Sequence, residues 1–134
     1  MDVRQGRTYW NLPCAPSSAA DARRHVAGAC AHLGREFRDV AVLLASELVG
    51  NAVEHASGEA VHLVVDQRQD RFRVEVHDTQ AGRLSARHTD TLAPRGRGLM
   101  LVERLAAEWG VDPSPRGGKQ VWFQLRMPAQ GSGS

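Results

Sequence analysis

Glu47-Leu-Val-Gly-Asn51-Ala-Val-Glu-His55 is the stretch on which the reading of this chain turns. It closes a run from about Asp39 to Ala56 in which Val40, Leu43, Leu44 and Leu48 recur at helical spacing, with Gly58 beyond its end. At about 100° per residue, Glu47, Asn51 and His55 stand at i, i+4 and i+8, on the same side as Val40, Leu44 and Leu48. A carboxylate, an amide and an imidazole are therefore expected to face the core. Burying such groups without partners costs several kcal/mol for a charge and roughly 2 kcal/mol or more for an amide. Either solvent or a ligand must reach them. The plain alternative is an amphipathic helix whose last two turns emerge from the core.

Upstream of that helix, Thr8, Trp10 and Leu12 alternate as a short strand stopped by Pro13. Ser17 or Ser18 then caps a first helix, in which Ala22, Val26, Ala29, Cys30 and Leu33 keep helical spacing before Gly34. Downstream, Val61, Leu63 and Val65 alternate, Gln67 to Asp70 supplies a turn, and Phe72, Val74 and Val76 alternate again. The spacing predicts an antiparallel hairpin with one face to a core. Residues 79 to 97 carry no period and are longer than a simple connection. A third helix is expected from Gly96-Arg97-Gly98 to Gly110, with Leu99, Val102, Ala106 and Trp109 as its stripe. After the turn Pro115-Arg-Gly-Gly118, the residues Val121, Phe123, Leu125 and Met127 alternate as a last strand. This order predicts an α+β fold, a two-layer sandwich with helices on one face of a mostly antiparallel, mixed sheet.

The chain has 134 residues, 42% hydrophobic and 24% charged, the composition of one ordinary domain. We expect it to fill residues 1–128, with 129–134 as a flexible tail. No run approaches the roughly 20 consecutive apolar residues of a bilayer span, and no signal-like leader opens the chain, so a cytoplasmic location without membrane attachment is expected. Cys14 and Cys30 form neither a Cys-x-x-Cys pair nor part of a zinc-like cluster, which argues against a disulfide scaffold or structural zinc. Net charge is only +2 and the basic residues are scattered. That distribution lacks the footprint of a protein that binds nucleic acid directly.

Two further features carry chemistry. Asp78 shares a strand face with Phe72, Val74 and Val76, which leaves a carboxylate on the core side just before Asp78-Thr-Gln-Ala-Gly82, where a backbone can approach a ligand. Taken alone, Asp78 could equally cap a turn. Gly96-x-Gly98 at a helix start lets backbone N–H groups and the helix dipole meet an anion, phosphate above all, although a loop-to-helix junction also uses glycine to turn. Asn51 adds a hard oxygen of the kind magnesium takes alongside substrate phosphates.

Together these residues resemble a known family. Glu47-Leu-Val-Gly-Asn51-Ala-Val-Glu-His55 resembles the N box of the ATPase superfamily that contains gyrase, histidine kinases and mismatch-repair ATPases, whose shared architecture is the Bergerat fold. Asp78 with Gly82 resembles its Asp-x-Gly-x-Gly box, Gly96-Arg-Gly-Leu-Met-Leu-Val102 its Gly-x-Gly-Leu box, and Gly117-Gly-Lys-Gln-Val-Trp122 its closing strand. Glu at the first N-box position, the compact size and the Trp in the last strand look most like the bacterial anti-sigma-factor serine/threonine-protein kinases, over about Trp10 to Met127. By that resemblance Asn51 would coordinate Mg2+, Asp78 would bind the adenine amino group of ATP and His55 would lie beside the base. Gly82 would belong to the adenine box, Gly96, Arg97, Gly98 and Leu99 would hold the phosphates, and residues 79–97 would form an ATP lid. Glu47 would be the general base that takes a proton from a partner's serine or threonine hydroxyl. Two positions depart from the pattern: Gln80 stands where the adenine box usually has its first Gly, and Gln120 where the closing strand commonly carries Thr, at the adenine end.

The resemblance implies an ATP- and magnesium-dependent protein kinase of transcription regulation, with a sigma factor and an anti-anti-sigma antagonist protein as partners and a homodimer left open. Two other readings stand beside it. One is a nucleotide-binding regulatory module without kinase activity, which Glu47→Ala would distinguish. The other is a detached histidine-kinase ATPase domain, against which stands the lack of a His-Glu-x-x-x-Pro pattern around His25 and His32.

Overall fold

A computed structural model describes residues 6–55, 60–78, 97–115 and 117–128, with the backbone alone at 55 and 97–99. In chain order the elements are β1 (Gly6–Pro13), α1 (Ser18–Ala29), a 3-10 turn (Ala31–Leu33), α2 (Arg35–His55), β2 (Ala60–Arg68), β3 (Arg71–Asp78), α3 (Arg97–Leu105), β4 (Glu108–Pro113) and β5 (Lys119–Arg126). The strands form one five-stranded sheet in the order β1-β2-β3-β5-β4, and all four pairings are antiparallel. The architecture is α+β, with the helices packed on one face of the sheet.

Local chemistry explains the joints. Ser18 Oγ donates to the Pro13 carbonyl at 2.5 Å, tying the start of α1 to the end of β1. Gly34 takes φ +95°, a left-handed value that suits glycine, and so separates the 3-10 turn from α2. The β2–β3 hairpin turns on only Gln69 and Asp70, with Arg68 paired to Arg71 and Gln69 at φ 53°. Between the layers Phe72, Phe123, Leu44 and Leu63 are fully buried, and Phe37 meets Phe72 edge to face at 5.3 Å. Burying side chains of this size stabilises by about 1.5–3 kcal/mol each.

Three sequence expectations change here. The third helix stops at Leu105, and Trp109 and Gly110 belong to β4, where Trp109 pairs with Phe123 and Gly110 with Trp122. A Cβ at Gly110 would lie 2.8 Å from the Trp122 ring, so this glycine makes room for an indole across the strands and does not end a helix. The core face of α2 is rotated as well: Ala41, Leu44, Ala45, Leu48 and Val49 are buried, whereas Leu43 is 39% exposed and Val40 lies only at the margin. Finally, β2 and β3 are buried on both faces, not one. Leu63, Val65, Val74 and Val76 face the helices, while Val64, Asp66, Glu75 and His77 are covered on the other side.

Candidate functional site

Asp78 ends β3 on the helix side, 2% exposed and paired in register with Val61. Opposite it, β5 begins. Alternation along β5 sends Lys119, Val121, Phe123 and Leu125 toward the helices, and Lys119 Nζ donates to Asp78 Oδ2 at 3.2 Å with both side chains buried. Gly118 makes that approach possible. It takes φ +71°, and a Cβ there would stand 2.4 Å from the Asp78 carbonyl oxygen and 2.6 Å from Oδ1. No other residue could hold the start of β5 this close to the carboxylate.

Leu48, Asn51 and Ala52 of α2 close the space from above, and with Val76, Asp78, Lys119 and Val121 they line a cavity of about 10 Å³, room for one water molecule. Asn51 Nδ2 is buried and has no hydrogen-bond partner among the described residues. Such an orphan amide is costly in a finished core. Its two terminal atoms exchange places by rotation, so the position can offer either an N–H to a phosphate oxygen or a carbonyl oxygen to a cation. The donor set and the orphaned atom fit a magnesium nucleotide.

The other expected site residues fall in three groups. Asn51 and Asp78 meet at the cavity. Glu47 does not line it: it is half-buried on the flank of α2, roughly 130° around the wheel from the centre of the observed core face, because Ala41 and Ala45 carry the packing that Val40 and Leu43 were expected to carry. Arg97, Gly98 and Leu99 form the first turn of α3, and His55 is the last residue of α2, with side chains outside the description. Gly82, Gly96, Gln80 and the expected lid over 79–97, all but Arg97 at the start of α3, lie outside the described residues.

Gln120 is corrected by the same alternation. It lies on the sheet face away from the helices, paired with His77 and Asp112, with a buried Oε1 that has no partner among the described residues. Lys119, which the sequence reading passed over, takes the place at the end of the cavity. Counting back in twos from Leu125, Phe123 and Val121 would have found it.

The far face of the sheet is a polar lattice. Arg7 of β1 donates to Asp66 Oδ2 at 2.9 Å and Glu75 Oε1 at 3.1 Å, and Arg73 donates to Glu75 Oε2 at 2.8 Å while lying 4.1 Å over the Trp122 ring. His77 Nε2 lies 2.8 Å from Glu75 Oε1, and its Nδ1 lies 2.8 Å from Ser114 Oγ. Burial alone would raise the Glu75 carboxyl, but hydrogen bonds from His77 and Arg73 and the charges of Arg7 and Arg73 outweigh it and hold it at about 2. An ionised carboxylate only accepts, so the His77 Nε2–H donates to it. Elsewhere Cys14 and Cys30 are not joined in a disulfide, and burial pushes Cys30 up to about 11. Among the described residues no helix is long and apolar enough to cross a membrane.

No curated protein matches the chain at a significant level. The family profile described as histidine kinase-like ATPase domain matches residues 12–125, from the end of β1 to the end of β5, and that span takes in the whole cavity lining. The match supports ATP binding. With an α+β sandwich, an inward Asp at the end of β3 and an inward Asn on the helix above it, this chain belongs to the histidine kinase-like ATPase domain family.

Proposed function

We propose that the cleft between α2 and the β3–β5 edge binds ATP with magnesium, and that the chain transfers the γ-phosphoryl group to a serine or threonine of an antagonist protein while it also sequesters a sigma factor. The observation that carries the nucleotide part is the meeting of Asp78 and the unpartnered Asn51 amide at one cavity, inside the span matched by the ATPase family. Asp78 accepts the amino hydrogen of the base. Asn51 would hold magnesium, which when bound offsets charge on the phosphates. The backbone of Gly98 and Leu99 in the first turn of α3 offers N–H groups to the same phosphates, joined by Gly96 and Arg97 as the resemblance implies. The Gly82 box and His55 complete the surroundings of the base in this reading.

Glu47 is the general base of the reading, and its flank position suits that role: a half-buried carboxylate one turn from Asn51 can be reached by a hydroxyl carried on another protein. The attacking oxygen forms a bond to the γ-phosphorus, the bond to the β–γ bridging oxygen breaks, ADP leaves, and the hydroxyl proton goes to Glu47. The same exposure favours one alternative, a nucleotide-binding switch without transfer, since Glu47 does not touch the cavity. Titration of the purified chain with ATP, with and without magnesium, should show magnesium-dependent binding that Asp78→Asn weakens at least about tenfold. Glu47→Ala should keep that binding and abolish phosphate incorporation into a serine-bearing antagonist. Retained incorporation would remove Glu47 from the reaction, and absence of incorporation by the unaltered chain would leave the switch reading.

A further inference from the structure

Lys119 is the one lysine of the chain, and it is 6% exposed beside the base-binding carboxylate. A buried ion pair is weak evidence for stability, since well-packed apolar residues often serve as well or better. Its place at the cavity calls for another account. We propose that Lys119 and Asp78 work as a paired donor and acceptor against the Watson–Crick edge of the bound base, so that the pocket takes 6-oxo purines such as GTP as well as 6-amino purines such as ATP. The inference rests on the reading of the cleft as a nucleotide site.

A carboxylate alone only accepts. It favours the adenine amino group and repels the guanine O6 lone pairs. Adenine sets an amino donor beside the N1 acceptor, whereas guanine sets the O6 acceptor beside the N1–H donor. With an ammonium next to the carboxylate, both orders find partners. Asp78 takes the adenine amino hydrogen while Lys119 donates to N1, or Asp78 takes the guanine N1 hydrogen while Lys119 donates to O6. The group has the means for it: an ammonium carries three donors, and a carboxylate offers about four lone-pair directions, so Asp78 can hold Lys119 and a base together.

The cavity leads to the same residue. Beside the room for one water molecule that the described lining leaves, Lys119 is the polar side chain able to move. Leu48, Val76 and Val121 are fixed in the core and Asp78 is pinned against Gly118. Lys119 sits on a flexible four-carbon stem and can swing while its charge stays beside Asp78. The mobile member of the lining is thus the group placed to read a base.

Calorimetric titration of the full chain with ATP and with GTP, both with magnesium, tests this against Lys119→Met and Lys119→Arg. The unaltered chain should bind the two nucleotides with Kd values within about tenfold of each other. Lys119→Met should weaken both nucleotides at least about tenfold, because adenine N1 and guanine O6 each lose their donor, the usual penalty for a desolvated, unmet polar atom. Lys119→Arg, which keeps charge and donors, should keep both. ATP binding with GTP rejected by the unaltered chain overturns the paired reading and leaves the nucleotide site standing. So does retention of either nucleotide within about threefold by Lys119→Met. If neither nucleotide binds the unaltered chain, the nucleotide site itself falls. Should Lys119→Met fail to fold, the ATP-to-GTP ratio of the unaltered chain decides alone.

Discussion

Glu75 and Asp78 are buried carboxylates on the same strand, and they face opposite sides of the sheet. Glu75 is met by three cationic or donor side chains, Arg7, Arg73 and His77, and an indole with an arginine stacked on it lies across the neighbouring strand. Asp78 stands beside a cavity, with a buried amide N–H across from it that has no partner among the described residues. The two acids are equally hidden, so burial does not distinguish them. What separates a structural acid from a binding one is the space next to it and the polar atom left unmet there. On this criterion the far face of the sheet is a clasp and the helix side is the candidate site.

The clasp is the more costly of the two to disturb. Glu75→Ala leaves Arg7, Arg73 and His77 facing a vacated centre, and breaking a buried charged network in this way costs about 3–5 kcal/mol. Urea unfolding should show that loss, while ATP affinity of the still-folded protein at low temperature stays within about twofold. A matching loss of affinity would show that the two faces act as one unit. Acid titration sharpens the point. The Glu75 carboxyl is lowered from 4.5 to about 2 in the folded chain, so its contribution is complete above the unfolded value and is lost as pH falls from 4.5 toward 2. The shift corresponds to about 3 kcal/mol. Unfolding free energy measured across that window should fall with pH in the unaltered chain and fall less in Glu75→Ala.

The sequence made one face of β3 readable and left the other dark, for a physical reason. Phe72, Val74, Val76 and Asp78 alternate, and the helix side follows from that count. Arg73, Glu75 and His77 read as solvent-facing because their cover comes from Arg7, 68 positions away from Glu75, and from Trp122 on another strand. Such long-range stacking leaves no periodic trace. On α2 the obstacle was alanine: Ala41 and Ala45 are fully buried but carry little weight in a hydrophobic pattern, so Val40 and Leu43 drew the wheel round and brought Glu47 inward. Asn51 lay close enough to the true face to survive that error. Trp109 was misread because three- and four-residue spacings can run on past a helix end, and only the fit of Gly110 to Trp122 shows the chain already extended there.

A smaller effect on folding is expected from Gly118→Ala, which bears on both carboxylate environments through β5. The added methyl meets the Asp78 backbone at 2.4 Å, and φ +71° is a conformation that costs a side chain roughly 1–2 kcal/mol. A thermal melt should report a loss of about 2 kcal/mol, and ATP binding should weaken with it because Asp78 is displaced. Glu75→Ala lowers stability alone, so the pair of variants separates the clasp from the site by whether affinity moves.

The smallest effect on folding belongs to the residue with the largest expected effect on the ligand. Asn51→Ala removes an amide whose N–H is buried and unmet, and removing a desolvated, unpaired group offsets the packing lost with it. Unfolding free energy should therefore change by no more than about 0.5 kcal/mol, while the magnesium dependence of ATP binding disappears from the titration. A core asparagine behaves in the opposite way, because its hydrogen bonds belong to the fold and their loss is felt without any ligand. A loss of 2 kcal/mol or more with magnesium dependence intact would mean that the Asn51 amide is satisfied by the protein itself, and the distinction drawn between the two faces of β3 would then rest on the cavity beside Asp78 alone.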